Sequence, residues 1–145
     1  MTSVMISCGE PSGDLYAGAL VRELRALDPD VRVRGFGGER LRSAGADLIG
    51  DYRGLTVIGL VEAVRVLPRS YQMYRRLLRS ARDERPDVLV AIDFPDFNFR
   101  LAAAVRALGV PVVYYIPPQL WAWRTGRIRR LRQIADRILL IFPFE

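Results

Sequence analysis

The chain has 145 residues, half of them apolar and 26% charged, with a formal net charge of +6 at pH 7. This length and composition are typical of one globular domain and exclude a disordered or fibrous chain. All 22 basic residues are arginine, and the absence of histidine excludes a serine triad with a histidine base. An arginine-rich surface suits nucleic acid, anionic lipid or phosphorylated small molecules, but a merely solvated basic surface explains the charge equally well.

Cellular location is indicated by cysteine usage and by the N-terminal residues. Cys8 is the sole cysteine, so no internal disulfide can form and a reducing compartment is favoured. Residues 1–14 lack the basic start and the long apolar stretch of a signal peptide. No run approaches the roughly 20 apolar residues that cross a bilayer. We therefore expect a cytoplasmic protein, with attachment to a membrane surface left open.

The predicted elements alternate between strand and helix from the first residues onward. Residues 4–8 form a short apolar run typical of a strand, and a glycine-rich turn follows. Leu20, Leu24 and Leu27 then recur at the i, i+4, i+7 spacing of one buried helix face. Residues 31–36 are predicted to form a second strand that ends at two glycines.

A short helix at residues 39–43 and a minor strand at 47–49 come next. Residues 55–67 are very apolar but fall outside the strand–helix alternation, which favours a place in the core. If exposed, this segment would be an interfacial patch for acyl chains or for a bilayer surface. Pro68 suits the first turn of a helix that runs to about Glu84.

The second half of the chain repeats the alternation. Residues 87–92 are predicted to form a strand, and the helix after them ends at Gly109 as a C-cap. Strands at residues 112–116 and 137–142 flank a helix whose buried face is marked by Ile128, Leu131 and Ala135. Apolar strands that alternate with helices indicate a mostly parallel sheet covered on both faces. The fold class is therefore α/β, doubly wound and Rossmann-like, in one domain spanning residues 1–145.

Ligands of open α/β sheets bind beyond the carboxyl ends of the strands. The first strand is followed there by Glu10, Ser12, Gly13 and Asp14. Gly13 permits a close backbone approach, and Ser12 is suited to cap the next helix. The spacing is not G-x-G-x-x-G, so a nicotinamide cofactor is unsupported. Glu10 has no capping task, which favours a ligand contact over a plain capped turn.

Two carboxylates follow the third clear strand. Asp96 precedes the helix predicted from Phe97, and we expect it to cap that helix. Asp93 has no such task, and its partly apolar setting would raise its pKa and suit a general base. A structural acid bonded to backbone amides is an equal alternative. Metal binding is disfavoured because the chain has no histidine, no thiolate pair and no tight carboxylate cluster.

An aromatic and basic segment follows the fourth strand. It contains Trp121, Trp123 and Arg124, and more arginines follow, including Arg127 and Arg130 three residues apart. The tryptophans suit core or lid packing. The arginines suit a phosphate or an anionic membrane, with a solvated helix face as the alternative.

Together these motifs resemble the lipid-A-disaccharide synthase family, bacterial glycosyltransferases of the GT-B architecture. The resemblance spans nearly the whole chain, and Pro117 stands where the family usually has serine. Six motifs occur in the family's order and spacing, namely GEPSGD at 9–14, GFGGERLRSAG at 35–45, GLVEAV at 59–64, IDFPDFNFRLA at 92–102, YYIPPQLWAWRTGRI at 114–128 and ILLIFPFE at 138–145.

The resemblance implies a reaction and a set of site residues. The family joins UDP-2,3-diacylglucosamine to 2,3-diacylglucosamine 1-phosphate (lipid X), forming a β-1,6 disaccharide and UDP, with inversion and without a metal or cofactor. Asp93 corresponds to the general base. Substrate contacts are implied for Glu10, Ser12, Gly13, Asp14, Asn98, Trp123 and Arg124. Contacts with acyl chains or the cytoplasmic face of the inner membrane are implied for Val57, Ile58, Leu60, Val61, Val64 and Leu67.

The resemblance also implies that the C-terminal UDP-sugar domain is absent from this chain. We therefore expect little or no transferase activity from the chain alone, and no nucleic-acid partner. Two other functions stay open on the residues alone. One is a stand-alone Rossmann-like module that binds an anionic lipid or a nucleotide without catalysis, and the other is a basic nucleic-acid binder.

Overall fold

The computed structural model describes residues 2–55, 60–115 and 125–139. Its strands in chain order are β1 (Ser3–Cys8), β2 (Arg32–Gly37), β3 (Asp47–Asp51), β4 (Val88–Ile92), β5 (Val112–Tyr115) and β6 (Arg137–Leu139). Its helices are α1 (Pro11–Leu27), α2 (Glu39–Ser43), α3 (Leu60–Glu84), α4 (Pro95–Ala107) and α5 (Thr125–Ile134), with a 3-10 turn at Tyr52–Leu55.

The strands form one parallel sheet in the order β3-β2-β1-β4-β5-β6. The central strand β1 pairs with β2 on one side and with β4 on the other. The chain therefore winds outward from β1 in one direction and then outward from β4 in the opposite direction. This order confirms the doubly wound α/β fold predicted from the sequence.

The two faces of the sheet carry separate cores because successive residues of a strand point to opposite faces. Val4 and Ile6 of β1 belong to the core that also contains buried residues of α1 and α2. Met5 of β1 and Leu89 of β4 belong to the other core, which contains residues of α3, α4 and α5. Both faces are thus covered, as near-continuous apolar strands require.

Two glycines fix the geometry of specific connections. A Cβ atom at Gly35 would overlap the carbonyl oxygen of Ile6, so the pairing of β2 with β1 needs a glycine there. Gly109 follows α4 with a φ of +89°, the left-handed conformation that glycine adopts at helix ends. The predicted C-cap at Gly109 is confirmed.

The start of α3 differs from the prediction. The helix begins at Leu60, so Pro68 lies inside it rather than in its first turn. Residues 56–59, including Val57 and Ile58, lie outside the described residues. Val64 and Leu67 are 63% and 67% exposed, so the interpretation of the apolar segment as core is wrong for these two side chains.

The predicted helix caps are also wrong. Helix α1 begins at Pro11 and helix α4 at Pro95, and no side-chain cap hydrogen bond is present at either start. Proline is favoured at the first helical position, and each helix starts two residues earlier than expected, at the proline before the predicted cap. Ser12 and Asp96 are therefore second residues of their helices rather than caps.

We predict that Leu89→Ala lowers the free energy of unfolding by about 2–5 kcal/mol, because Leu89 is fully buried and its truncation leaves a cavity. Leu27 is 85% exposed, so its predicted place on the buried face of α1 is wrong. Leu27→Ala is therefore the matched control and should change stability by less than about 0.5 kcal/mol. Urea unfolding of both variants measures the difference. Equal losses would contradict the packing of β4 described above.

Candidate functional site

The candidate site lies where β1 and β4 end side by side. Cys8 and Ile92, the last residues of the two strands, are register partners. Helix α1 leaves β1 toward one face of the sheet, and α4 leaves β4 toward the other face. This divergence makes the crevice in which open α/β sheets hold ligands. The turns that carry Glu10 and Asp93 therefore border the same crevice.

Asp93 and Phe94 form a left-handed turn between β4 and α4. Their φ angles are +46° and +48°, values that residues other than glycine rarely adopt. The Phe94 ring covers the end of β1, because a Cβ atom at Gly9 would overlap it. Backbone strain of this kind persists only where the surroundings enforce it, and it clusters at functional sites. The half-buried Asp93 thus sits in an enforced conformation at the edge of the sheet.

The buried side chain of Asn98 holds this turn. Its Nδ2 donates to the carbonyl oxygens of Asp93 at 2.9 Å, Ser7 at 3.0 Å and Ile92 at 3.2 Å. Its Oδ1 accepts a hydrogen bond of 2.6 Å from the Ser7 hydroxyl. Asn98 is 0% exposed, so it presents no polar group to the crevice. Its place is beneath the site, rather than at the substrate surface that the resemblance implied.

A second donor reaches the same carbonyl from β5. The Tyr114 hydroxyl donates to the Asp93 carbonyl oxygen at 2.6 Å, and the Asp93 N–H donates to the Tyr115 carbonyl at 3.4 Å. Sequence reasoning missed both Tyr114 and Ser7. The available signal was a polar side chain near the carboxyl end of an apolar strand, a place where buried polar groups need partners.

The Asp14 carboxylate is hydrogen-bonded to backbone groups of the protein itself. It is buried and accepts hydrogen bonds from the backbone N–H groups of Gly38 at 2.9 Å, Arg40 at 3.0 Å and Leu41 at 3.1 Å. These donors belong to the start of α2, where a negative charge stabilises unpaired N–H groups and the helix dipole. Asp14 therefore ties α1 to α2, and its predicted contact with substrate stays a prediction.

The buried thiol of Cys8 lies close to this carboxylate. It donates to the Phe36 carbonyl oxygen at 3.5 Å. Burial, and secondarily the Asp14 charge, raise its pKa far above that of a free thiol. Cys8 is 0% exposed, and burial favours the thiol over the nucleophilic thiolate, so its role in the structure is packing.

The remaining residues of the GEPSGD motif divide between surface and interior. Glu10 and Ser12 are exposed, whereas Gly13 is buried. A Cβ atom at Gly13 would lie 3.1 Å from the Cβ of Cys8. Loss of hydration raises the pKa of the Glu10 carboxyl group, and the negative charge of Asp93 raises it further. The two carboxylates thus act on each other across the crevice, which places two proton-accepting groups along one edge.

Other predicted residues lie outside the part of the chain that the structure describes. Trp121, Trp123 and Arg124 fall in the gap between 115 and 125, so their predicted roles stay predictions. Further along, the Arg130 guanidinium lies 6.0 Å from the Phe99 ring centroid, a cation–π contact on α4. This contact gives Arg130 a packing role on the protein itself.

Two further features of the described residues limit the choice of site. Within these ranges no three carboxylate or thiol groups gather as metal ligands would. A groove of about 410 Å³ lies at the opposite, amino edge of the sheet, and its lining includes Ser3, Arg32 and Asp87. Since ligands of open α/β sheets bind at the carboxyl edge, the crevice at Glu10 and Asp93 remains the candidate site.

Sequence comparison identifies the family of the chain. The family model for lipid-A-disaccharide synthetase matches residues 4–145. The chain belongs to this family. Among its curated relatives, the lipid-A-disaccharide synthase of Koribacter versatilis is 53% identical over 146 residues, and that of Solibacter usitatus is 49% identical over 145 residues. Each match covers 100% of the chain but only 38% of the relative. The resemblance drawn from the motifs is confirmed.

Comparison with solved structures supports the fold. The crystal structure of MurG from Acinetobacter baumannii matches with a TM-score of 0.62 at 15% identity, covering 99% of this chain and 42% of that one. At such low identity the likeness concerns the fold alone. The Rossmann-like sheet expected for one part of a GT-B glycosyltransferase is confirmed.

We predict that Asp14→Ala lowers the free energy of unfolding by about 2–4 kcal/mol, because three backbone donors at the start of α2 lose their acceptor. Asp47→Ala is the control, since Asp47 is exposed on β3 and should cost less than about 0.5 kcal/mol. Chemical denaturation measures both values. A loss at Asp14 no larger than that of the control would show that its bonds to α2 contribute little.

Proposed function

We propose that this chain supplies the acceptor side of an inverting, metal-independent hexosyltransferase of lipid A biosynthesis. The proposed reaction joins UDP-2,3-diacylglucosamine to 2,3-diacylglucosamine 1-phosphate, giving the β-1,6 disaccharide and UDP. The observation that carries the proposal is Asp93, a half-buried carboxylate held in a left-handed turn at the switch point of the sheet. Membership of the synthetase family supplies the reaction class.

Asp93 is the proposed general base. Its carboxylate accepts the proton of the acceptor 6-hydroxyl while that oxygen forms a bond to the anomeric carbon of the donor sugar. The bond from the anomeric carbon to the UDP oxygen breaks in the same step, and UDP leaves with the electron pair. Attack opposite the leaving group inverts the anomeric configuration.

Glu10 is the proposed partner of Asp93 in the crevice. An exposed carboxylate beside the base can accept a hydrogen bond from a sugar hydroxyl of the acceptor and so orient it. The raised pKa of Glu10 favours this use, because its charge is incompletely solvated beside Asp93. Ser12, exposed in the first turn of α1, is a further proposed contact with substrate.

The chain spans 38% of the two curated relatives described above, so one part of the proposed enzyme lies in sequence that this chain does not contain. We propose that UDP binding belongs mainly to that part, and that the chain alone has little or no transferase activity. Activity is therefore best tested in a chimaera. In this chimaera, residues 1–145 replace the matching segment of the Koribacter versatilis synthase.

We predict that the chimaera releases UDP from the two lipid substrates and that Asp93→Asn lowers its kcat by about 10²–10⁴-fold, because the amide cannot accept the proton. The control is Asp96→Asn, an exposed carboxylate three residues away that should keep kcat within about threefold. Binding of lipid X should persist in both variants. A folded but inactive parent chimaera, or full activity of Asp93→Asn, would overturn the proposed function.

A second proposal concerns the surface of α3. Val64, Leu67 and Tyr71 are 63%, 67% and 59% exposed at i, i+3, i+7 spacing, which places them on one helix face. Leu77 and Ala81 of the same helix are fully buried. Exposed arginines occur further along α3, namely Arg69, Arg75, Arg76, Arg79 and Arg82. An exposed apolar face with nearby cations is the pattern of a helix that lies on an anionic membrane.

We propose that this face attaches the enzyme to the inner membrane or holds substrate acyl chains. No helix in the described ranges combines the length and the apolar character needed to span a bilayer. Attachment through one face of α3 therefore suits a protein that contacts the membrane peripherally. The implied contacts at Leu60 and Val61 remain part of this proposal.

We predict that Leu67→Asp weakens co-sedimentation with phosphatidylglycerol vesicles by about tenfold or more, since burying one leucine side chain contributes about 1.5–3 kcal/mol. Leu27→Asp is the matched control, because Leu27 is an exposed leucine on α1. It should leave vesicle binding unchanged. Equal weakening by both variants would point to net charge alone. Vesicle binding by a chimaera that has no transferase activity would instead favour a lipid-binding module without catalysis.

A further inference from the structure

We infer that Asn98 and Tyr114 are positioning residues that fix the Asp93 carboxylate for proton transfer. The inference deepens the proposed function and rests on it, since it concerns the same base. Neither residue touches the crevice through its polar group, because both side chains are 0% exposed. Their action is exerted through the backbone of Asp93.

The target of both side chains is one carbonyl oxygen. The Asp93 carbonyl oxygen accepts a hydrogen bond of 2.9 Å from Nδ2 of Asn98, which lies on α4. It accepts a second one of 2.6 Å from the hydroxyl of Tyr114, which lies on β5. This carbonyl belongs to the peptide unit between Asp93 and Phe94, whose orientation sets the ψ of Asp93 and the φ of Phe94. Two donors from different elements therefore clamp the peptide plane that defines the left-handed turn. With that plane fixed, the direction in which the Asp93 side chain leaves the backbone is fixed as well.

The orientation of the Asn98 amide is itself determined. The Ser7 hydroxyl donates to Oδ1 at 2.6 Å, which turns Nδ2 toward the carbonyl oxygens at the ends of β1 and β4. An asparagine amide has two N–H donors, and three carbonyl oxygens lie within 3.2 Å of Nδ2. The donors are thus fully used, and no other residue type of the same size supplies both donors and an acceptor.

A residue that positions the base and a residue that binds substrate are expected to affect different kinetic constants. Removing a side chain that binds substrate in the crevice would raise KM, whereas a shift of the base would lower kcat with substrate affinity kept. A displacement of about 1 Å in a reacting group reduces rates by up to about 10²-fold. We therefore expect loss of either donor to act on kcat.

The experiment uses the chimaera described above. Tyr114→Phe keeps the edge-to-face contact of the ring with Phe99, at 5.5 Å between centroids, and removes only the hydroxyl. It should lower kcat by about tenfold and leave both KM values within about twofold. Asn98→Asp removes both N–H donors and should lower kcat by about 100-fold. If Asn98→Asp does not fold, Ser7→Ala replaces it, since that change frees the amide to rotate.

The control for general destabilisation is Val33→Ala. Val33 is buried in the amino half of β2, away from the carboxyl edge, so its truncation should lower Tm while kcat stays within about twofold. Asp93→Asn runs in parallel as the test of the base. The positioning role would be overturned if Tyr114→Phe kept full kcat and Asn98→Asp, or its replacement Ser7→Ala, did so too. The proposed function would still stand in that case, provided that Asp93→Asn is inactive. A fall in kcat of equal size in Val33→Ala would also overturn the positioning role. An active Asp93→Asn would overturn the proposed function itself.

Discussion

The hydrogen bonding of the buried Asn98 amide is the constraint on which the carboxyl edge of the sheet depends. It joins the end of β1 through Ser7 to the end of β4 through Ile92, while belonging itself to α4. Buried carbonyl groups without donors cost free energy, so these strand ends need this amide in place. The left-handed turn and the direction of the Asp93 side chain follow from these hydrogen bonds together with that of the Tyr114 hydroxyl.

The GEPSGD motif, which on sequence alone reads as one substrate-binding turn, is divided between two tasks. Glu10 and Ser12 face solvent at the crevice, whereas Asp14 is buried and bonded to the start of α2. The same short segment thus carries two residues that border the candidate site and one residue that bonds α1 to α2. Motif recognition identifies all of these residues together, but only burial and hydrogen bonding assign each residue to its task.

The strands were predictable because their apolar runs are bounded by glycine or proline, and the parallel sheet followed from the alternation. The location of Asp93 was predictable for the same reason, since it ends such a run. Helix starts were mispredicted where the preference of proline for the first helical position competes with the capping preference of serine or aspartate. This happens at Pro11 and Ser12 and again at Pro95 and Asp96. The role of Asn98 was not accessible, because its partner Ser7 lies 91 residues away in the chain and periodicity carries no information on such contacts.

The left-handed conformation of Asp93 and Phe94 costs folding free energy, but the side chains that incur this cost include the proposed catalytic carboxylate. Glycine or asparagine adopts positive φ at lower cost, so a population selected for heat resistance alone would accumulate glycine at these two positions. Glycine at 93 removes the carboxylate, and glycine at 94 removes the ring that covers Gly9. Variants that gain stability at this turn therefore measure how much folding free energy the domain gives up to keep an acid there.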